Sequence, residues 1–493
     1  MNVSNLHCIV IGAGIGGLAA GALLARQGMQ VVVLEAQRYP GGCAATFTFG
    51  AYRFDAGATV GCGFHPGGPL DLLGRELGID WPVHAEPLAW QYRHRDLRLD
   101  LLSSRDSIIS RFPRSKPFWD EQARLARTLW RLSADALPWP VSNLQDVAGL
   151  AGRALATLPD SAFLLSFMQR TALAWLASHG LDSDAEFVRF IDAQLMISVQ
   201  TTSRHANALN AAIALDLPVA GTWRVEGGIG TVAQCLADSI GRDGGAVLYG
   251  KKVIRLDTIK RGALGVETAD GDALATDALV ANLTPESLDI LDEFRPESEQ
   301  DAPPSDGWSA FMLYLGVDAS LFKKAGADHL QIVAPEGELG ECRSLFVSAS
   351  PAGDAGRAPE GQRAVTVSTH TKPERWFEAM RQGREVYEAL KQEYTDKVLA
   401  LLYEQLPDAR GAIRSMTAAT PHSWQQWTGR HHGLVGGYAQ TSLFGVRGPA
   451  TKYDNLFLVG DSIFPGQSLP GVVTGARRTV ELLLRRAGKL GRL

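Results

Sequence analysis

No run of about 18 uncharged apolar residues occurs in this 493-residue chain, so nothing in it is expected to span a membrane. Cysteine is scarce too: the five, at 8, 43, 62, 235 and 342, are odd in number and form no C-x-x-C pair. That usage points to reduced thiols in a cytoplasmic setting and away from a zinc site or covalent haem. The eleven histidines show no metal-ligand spacing, and the adjacent His431 and His432 read as a loop pair, so no metal is expected. A formal charge of −5, with no basic stripe interleaved with aromatics, argues against nucleic acid as a partner. No signal peptide is expected ahead of the first apolar run at Cys8.

What is present is an ordinary globular composition, 45% hydrophobic and 20% charged, with length for two domains. The 52 glycines suit an α/β protein with many tight turns. The first glycine cluster follows Cys8–Ile11, where Gly12, Gly14 and Gly17 fall in the G-x-G-x-x-G pattern, with Ile15 and Gly16 between them. One glycine serves the turn, one the close approach of a pyrophosphate, and one the packing of helix on strand. The helix expected from Leu18 to Gln27 would present free N–H groups to phosphates. A second strand, Val31 to Leu34, delivers Glu35 and Ala36; Glu35 lies 18 residues beyond Gly17, near the spacing of an acid that bonds ribose hydroxyls. Its charge disfavours a 2′-phosphate. Gly41 and Gly42, then Gly57 and Ala58 after a hairpin-like FTFGAYRF, extend this loop in a way that NAD dehydrogenases do not require.

The far end of the chain repeats the theme. Leu456 to Val459 reads as a buried strand ended by Gly460, with Asp461 placed to accept a hydrogen bond from a ribityl hydroxyl. Pro465, Gly466, Pro470 and Gly471 make a stiff loop, and from Val472 the pattern is helical; Pro470, Gly471 and Val472, like Gly17 of the first cluster, are expected among the cofactor-binding residues. A helix N-terminus there would favour negative charge on a reduced flavin by up to about 2 kcal/mol. Between these ends, residues 224–259 read as turn, helix, glycine turn and strand, with Val253 and Ile254 able to cover an adenine. A hairpin turning at 270–272 then leads to a strand ending near Asn282. The reading is an α/β protein with a discontinuous, Rossmann-type FAD-binding domain from residues 1–70, 222–290 and 450–493. A mainly helical insertion is expected over 71–221 and an α+β substrate domain over 291–449, which opens on the linker-like RPESEQDAPPSDGW and contains an amphipathic helix from Arg384 to Gln405.

Three further segments bear on membranes. SAFLLSFMQRTALAWL, Ser161 to Leu176, reads as a helix that either packs in a core or lies at a lipid interface with Phe163, Leu164, Phe167 and Trp175 inserted. Arg105, Arg111, Arg114 and Lys116, interleaved with Ile108, Ile109, Phe112, Phe118 and Trp119, form a second candidate contact. Arg477, Arg478, Arg485, Arg486 and Lys489 on the last helix read as solvated.

Over nearly its full length the chain resembles the phytoene desaturase and carotenoid isomerase branch of the flavin amine oxidase superfamily. The likeness is carried by VIGAGIGG with Glu35, GG at 41 and 42, FDAG at 54–57, VEGGIGTVAQCLAD at 225–238 and GDSIFPGQSLPGV at 460–472. FIDAQLMISVQTTSRHANALNAAIALDLP and TPHSWQQWTGRHHGLVGGY resemble the carotenoid 3,4-desaturases more narrowly. The resemblance implies noncovalent FAD, a long polyene entering from a membrane surface, and reduced flavin returning electrons to oxygen or a quinone. Desaturation would move a hydride to the flavin and release a proton. No catalytic residue is identified: Asp192 and Gln194 either face a tunnel or bond nearby backbone, and His65 reads as structural. A carotenoid isomerase is the alternative. An amine oxidase would need an aromatic pair flanking the flavin, and prenyl-binding escort proteins share the fold without flavin chemistry.

Overall fold

Apolar, β-branched runs flank an Ala- and Leu-rich helix in the first thirty-five residues. They form strand His7–Ile11, helix Ile15–Arg26 and strand Gln30–Glu35. This unit starts a five-stranded sheet, ordered Ala246–Tyr249, Gln30–Glu35, His7–Ile11, Ala278–Ala281, Leu456–Leu458, in a computed structural model describing residues 6–134, 137–141, 143–293 and 307–490. Every neighbouring pair is parallel. Both faces of such a sheet must be covered. Helices Ile15–Arg26, Gly230–Arg242 and Leu469–Leu490 share a core on one face, and the meander Val253–Ile259, Gly262–Thr268, Ala273–Ala275 covers the other. The strand order reverses at His7–Ile11, so its carboxyl end and that of Ala278–Ala281 bound the crevice where parallel sheets bind nucleotides.

A second sheet of seven strands lies over this crevice, in the order Ile413–Ala419, Ser309–Asp318, Gln362–Thr371, Ser344–Ala349, His329–Val333, Leu88–His94, Leu97–Leu102. Its last two strands come from 71–221, and Leu88–His94 pairs in parallel with His329–Val333. The expected division between a helical insertion over 71–221 and an α+β insertion over 291–449 therefore does not follow the packing: one sheet joins them. Of RPESEQDAPPSDGW, all but Gly307 and Trp308 lies outside the described residues.

The membrane-facing expectations need correction. Ser161 to Leu176 is not one helix: Asp160–Leu165 and Ala172–Ser178 are separate, and Leu164, Phe167 and Trp175 are buried, so core packing wins over lipid insertion for them. Ile108, Phe112, Phe118 and Trp119 also point inward. Exposed apolar side chains gather instead at Val141, Leu144, Val147, Leu155, Leu158 and Leu165, on and beside helix Leu144–Ala156. That helix is tied down by Asp146, fully buried and 2.8 Å from Arg478, itself 3% exposed. Arg485 stands 3.5 Å from the same carboxylate, and Arg477 is 2.8 Å from Glu76. The C-terminal cations thus dock elements, where solvation was expected; the Lys489 side chain lies outside the described residues. No helix among the described residues is long and apolar enough to cross a membrane.

Candidate active site

A cavity of about 1010 Å³ runs from the crevice into the space beneath the seven-stranded sheet. At its nucleotide end the chain's two distant glycine segments meet. Helix Ile15–Arg26 begins at Gly14 with no side-chain cap, leaving its first N–H groups open to an anion. A Cβ on Gly16 would sit 2.9 Å from Gly460 Cα, so only glycine permits that backbone approach, and one on Gly14 would displace the Asn282 amide, 2.5 Å away. Glu35 accepts from the N–H groups of Ala13 and Gln37, both at 2.7 Å, which aims its carboxylate along the cavity wall. Burial raises its pKa, against the lowering by those backbone bonds. Asp55 ties the 42–58 loop in place by accepting from Ile229 N–H and pairing with Arg357, each at 2.9 Å.

Gly12, Gly14, Ile15, Gly16, Glu35, Ala36, Gly41, Gly42, Gly57, Ala58, Val253, Asn282, Gly460, Asp461 and Val472 all line this cavity. Gly17, Pro470 and Gly471, proposed from sequence to touch cofactor, do not. A Cβ on Gly17 would run into the Gly12 carbonyl, so its role is packing. Pro470 is buried against Gly63, and Gly471 caps back onto Ser468 through an N–H···Oγ bond of 3.3 Å. Asp461 has a partner that sequence reasoning missed. Arg430 forms a partly buried ion pair with it and donates to the Leu434 carbonyl at 3.1 Å. A signal existed: Arg430 is the only formally charged residue between Arg414 and Arg447.

Beyond the nucleotide end the cavity changes character. Its floor is one face of the large sheet, where Met312, Ser368, Phe346 and Gln331 stand in register on four successive strands. Its roof is helix Ala185–Ser198, through Ala193, Met196 and Ile197, and Trp90 lies on the next strand of the floor. Five strands at a spacing of about 4.8 Å make this gallery about 19 Å wide. The charged lining residues, Glu35, Lys251, Lys252, Arg430 and Asp461, lie on neither floor nor roof. His370 on the floor has its pKa pushed down to about 4 by burial, with Lys372 adding to the effect, so it is neutral at pH 7.

A family profile described as flavin containing amine oxidoreductase matches residues 15–484. The chain belongs to that family. This flavin enzyme is 27% identical to a chloroplastic prolycopene isomerase of Daucus carota, over 98% of its own length and 80% of the relative's. It is 27% identical to a lycopene-forming phytoene desaturase of Paracoccus sp., covering 97% of each. A crystal structure of an oxidoreductase from Methanosarcina mazei shares the fold, with TM-score 0.65 and 19% identity over 97% of this chain and 100% of the other.

The flavin enzyme is an FAD-dependent oxidoreductase, and its residues fit FAD. The uncapped helix start and the Cβ-free approach at Gly14 and Gly16 would take a pyrophosphate, Glu35 would accept from ribose hydroxyls, and Asp461 and Arg430 would offer charge farther along. Bound FAD supplies two-electron oxidation and reduction. The protein's part is to hold it and to exclude water under the gallery. Asp192 does not face the cavity; its Oδ1 accepts from Ser203 N–H at 2.6 Å. Gln194 accepts from Trp90 Nε1 at 3.1 Å and donates to Gln331 at 2.6 Å, bracing the far wall. His65 lies off the cavity between Trp130 and Trp223.

Proposed function

We propose that this enzyme is a carotenoid desaturase that removes hydride and proton from an acyclic end of a long polyene, at the 3,4 position. The uncharged gallery carries this reading. A hydrocarbon gains by burial there at about 25 cal/mol per Å², whereas an amine cation would find no carboxylate on floor or roof. The relatives that are a phytoene desaturase and a prolycopene isomerase support the substrate class. The 3,4 position rests on the resemblance of segments 190–218 and 420–438 to 3,4-desaturases. Isomerisation with reduced FAD is the second reading, favoured by the isomerase likeness over 98% of the chain. The polyene would come from a membrane surface met by the apolar residues around helix Leu144–Ala156, and oxygen or a quinone would take the electrons.

Anaerobic incubation of the FAD-loaded enzyme with acyclic carotenoids separates these readings. A desaturase bleaches the flavin absorbance once per site and red-shifts the polyene. Geometry change without bleaching identifies an isomerase instead, and no change in any polyene refutes the substrate class.

A further inference from the structure

A flavin that gains two electrons also takes up a proton, and the wall beside Gly57 and Ala58 is mostly apolar. Thr59 is the exception. It lines the cavity, and its Oγ1 lies 2.7 Å from Ser348 Oγ, which is buried outside it. Ser348 Oγ is 3.0 Å from His329 Nδ1, on the adjacent strand and directly opposite in register. His329 Nε2 is 3.2 Å from Glu86 Oε2, and the other Glu86 oxygen accepts from Arg224 at 2.6 Å. Arg224 is 37% exposed, so the chain of bonds ends at the surface.

We propose that Thr59, Ser348, His329 and Glu86 form a proton relay between the flavin cavity and solvent. Two hydroxyls and an imidazole each accept and donate, so the line is unbroken. A proton leaving the cavity binds Thr59 Oγ1 while the Thr59 proton passes to Ser348, the Ser348 proton to His329 Nδ1, and the Nε2 proton to Glu86. Each hop breaks one O–H or N–H bond and makes one, and no electrons move. Uptake runs the same steps backwards.

The electrostatics suit this direction. Burial opposes the Glu86 charge, but the bonds from His329 and Arg224 outweigh it and hold the carboxyl below its ordinary range. Arg224 and Arg363 also bracket Asp328, at 3.0 and 2.8 Å, so the charged groups around His329 are Glu86, Arg224, Asp328 and Arg363. Glu86 is therefore an acceptor that passes its proton on readily.

The test uses FAD-loaded enzyme without polyene, so its outcome is independent of the carotenoid reading. Anaerobic reduction by reduced methyl viologen, which gives up electrons without releasing protons, is followed in a stopped flow at the flavin band and, with a pH-indicator dye, as proton uptake, in H₂O and D₂O. Ser348→Ala and Thr59→Val are expected to slow proton uptake by about tenfold or more relative to wild type. Thr59→Ser restores it, and the visible spectrum and melting temperature stay native, which a merely structural chain of bonds would not produce. Wild-type uptake in both variants overturns the relay. Should Ser348→Ala lose FAD, Glu86→Gln, at the remote end, decides in the same assay: slowed uptake supports the relay and unchanged uptake refutes it.

Discussion

At Gly16 the start and end of the chain touch with no room for a methyl group. An added Cβ would sit 2.9 Å from Gly460 Cα and 3.0 Å from Asn282 Oδ1. Backbone cannot yield as a flexible side chain would, so Gly16→Ala is expected to cost about 1–3 kcal/mol of stability and to weaken FAD binding. Denaturant unfolding and flavin titration of the apoprotein measure the two effects, and a variant with native values in both would show the approach to be looser. The glycine turn and Glu35 are legible in sequence because their geometry is set within one β-α-β unit. Arg430 is legible only as a lone charge, since the Asp461 that pairs with it sits on a different loop. Gly17, Pro470 and Gly471 share the motifs' spacing, yet they face neighbouring backbone and side chains.

Helix Leu144–Ala156 shows why element-level reading is harder. Its apolar face, with Leu144 86% and Leu155 69% exposed, resembles a core face in a sequence, while its sole buried residue is the acid Asp146. The partner that reverses expectation, Arg478, is more than 300 positions away. If these leucines meet lipid, Leu144→Glu with Leu155→Glu abolishes co-sedimentation with phospholipid vesicles while flavin content and melting temperature hold. Retained co-sedimentation would exclude this face as the contact.

Across the whole molecule, two histidines make stability depend on acid. His370 and His432 each have the pKa pushed from 6.5 to about 4, both chiefly by burial, with Lys372 adding at His370 and His431 at His432. Below pH 6.5 the unfolded chain binds protons that the folded one refuses, so stability falls as pH drops from about 6.5 to about 4. Urea midpoints across this range are expected to decline, and His370→Asn with His432→Asn flattens the slope; an equal slope in that variant would exclude these histidines as the cause. The parallel sheet could be assembled from sequence because each strand keeps its apolar run. The shared large sheet could not: LAWQYRH carries no mark of the strand at 329–333 that it joins.

The position of Leu456–Leu458 in the parallel sheet has a consequence for how the protein is made. His7–Ile11 leaves the ribosome about 450 residues ahead of Gly460 and Asp461, which line the same cavity. Until they emerge the flavin pocket lacks a wall. A nascent chain, or one stopped short of Gly460, is therefore expected to stay colourless. Yellow colour in a purified sample then reports that synthesis passed Gly460 and Asp461.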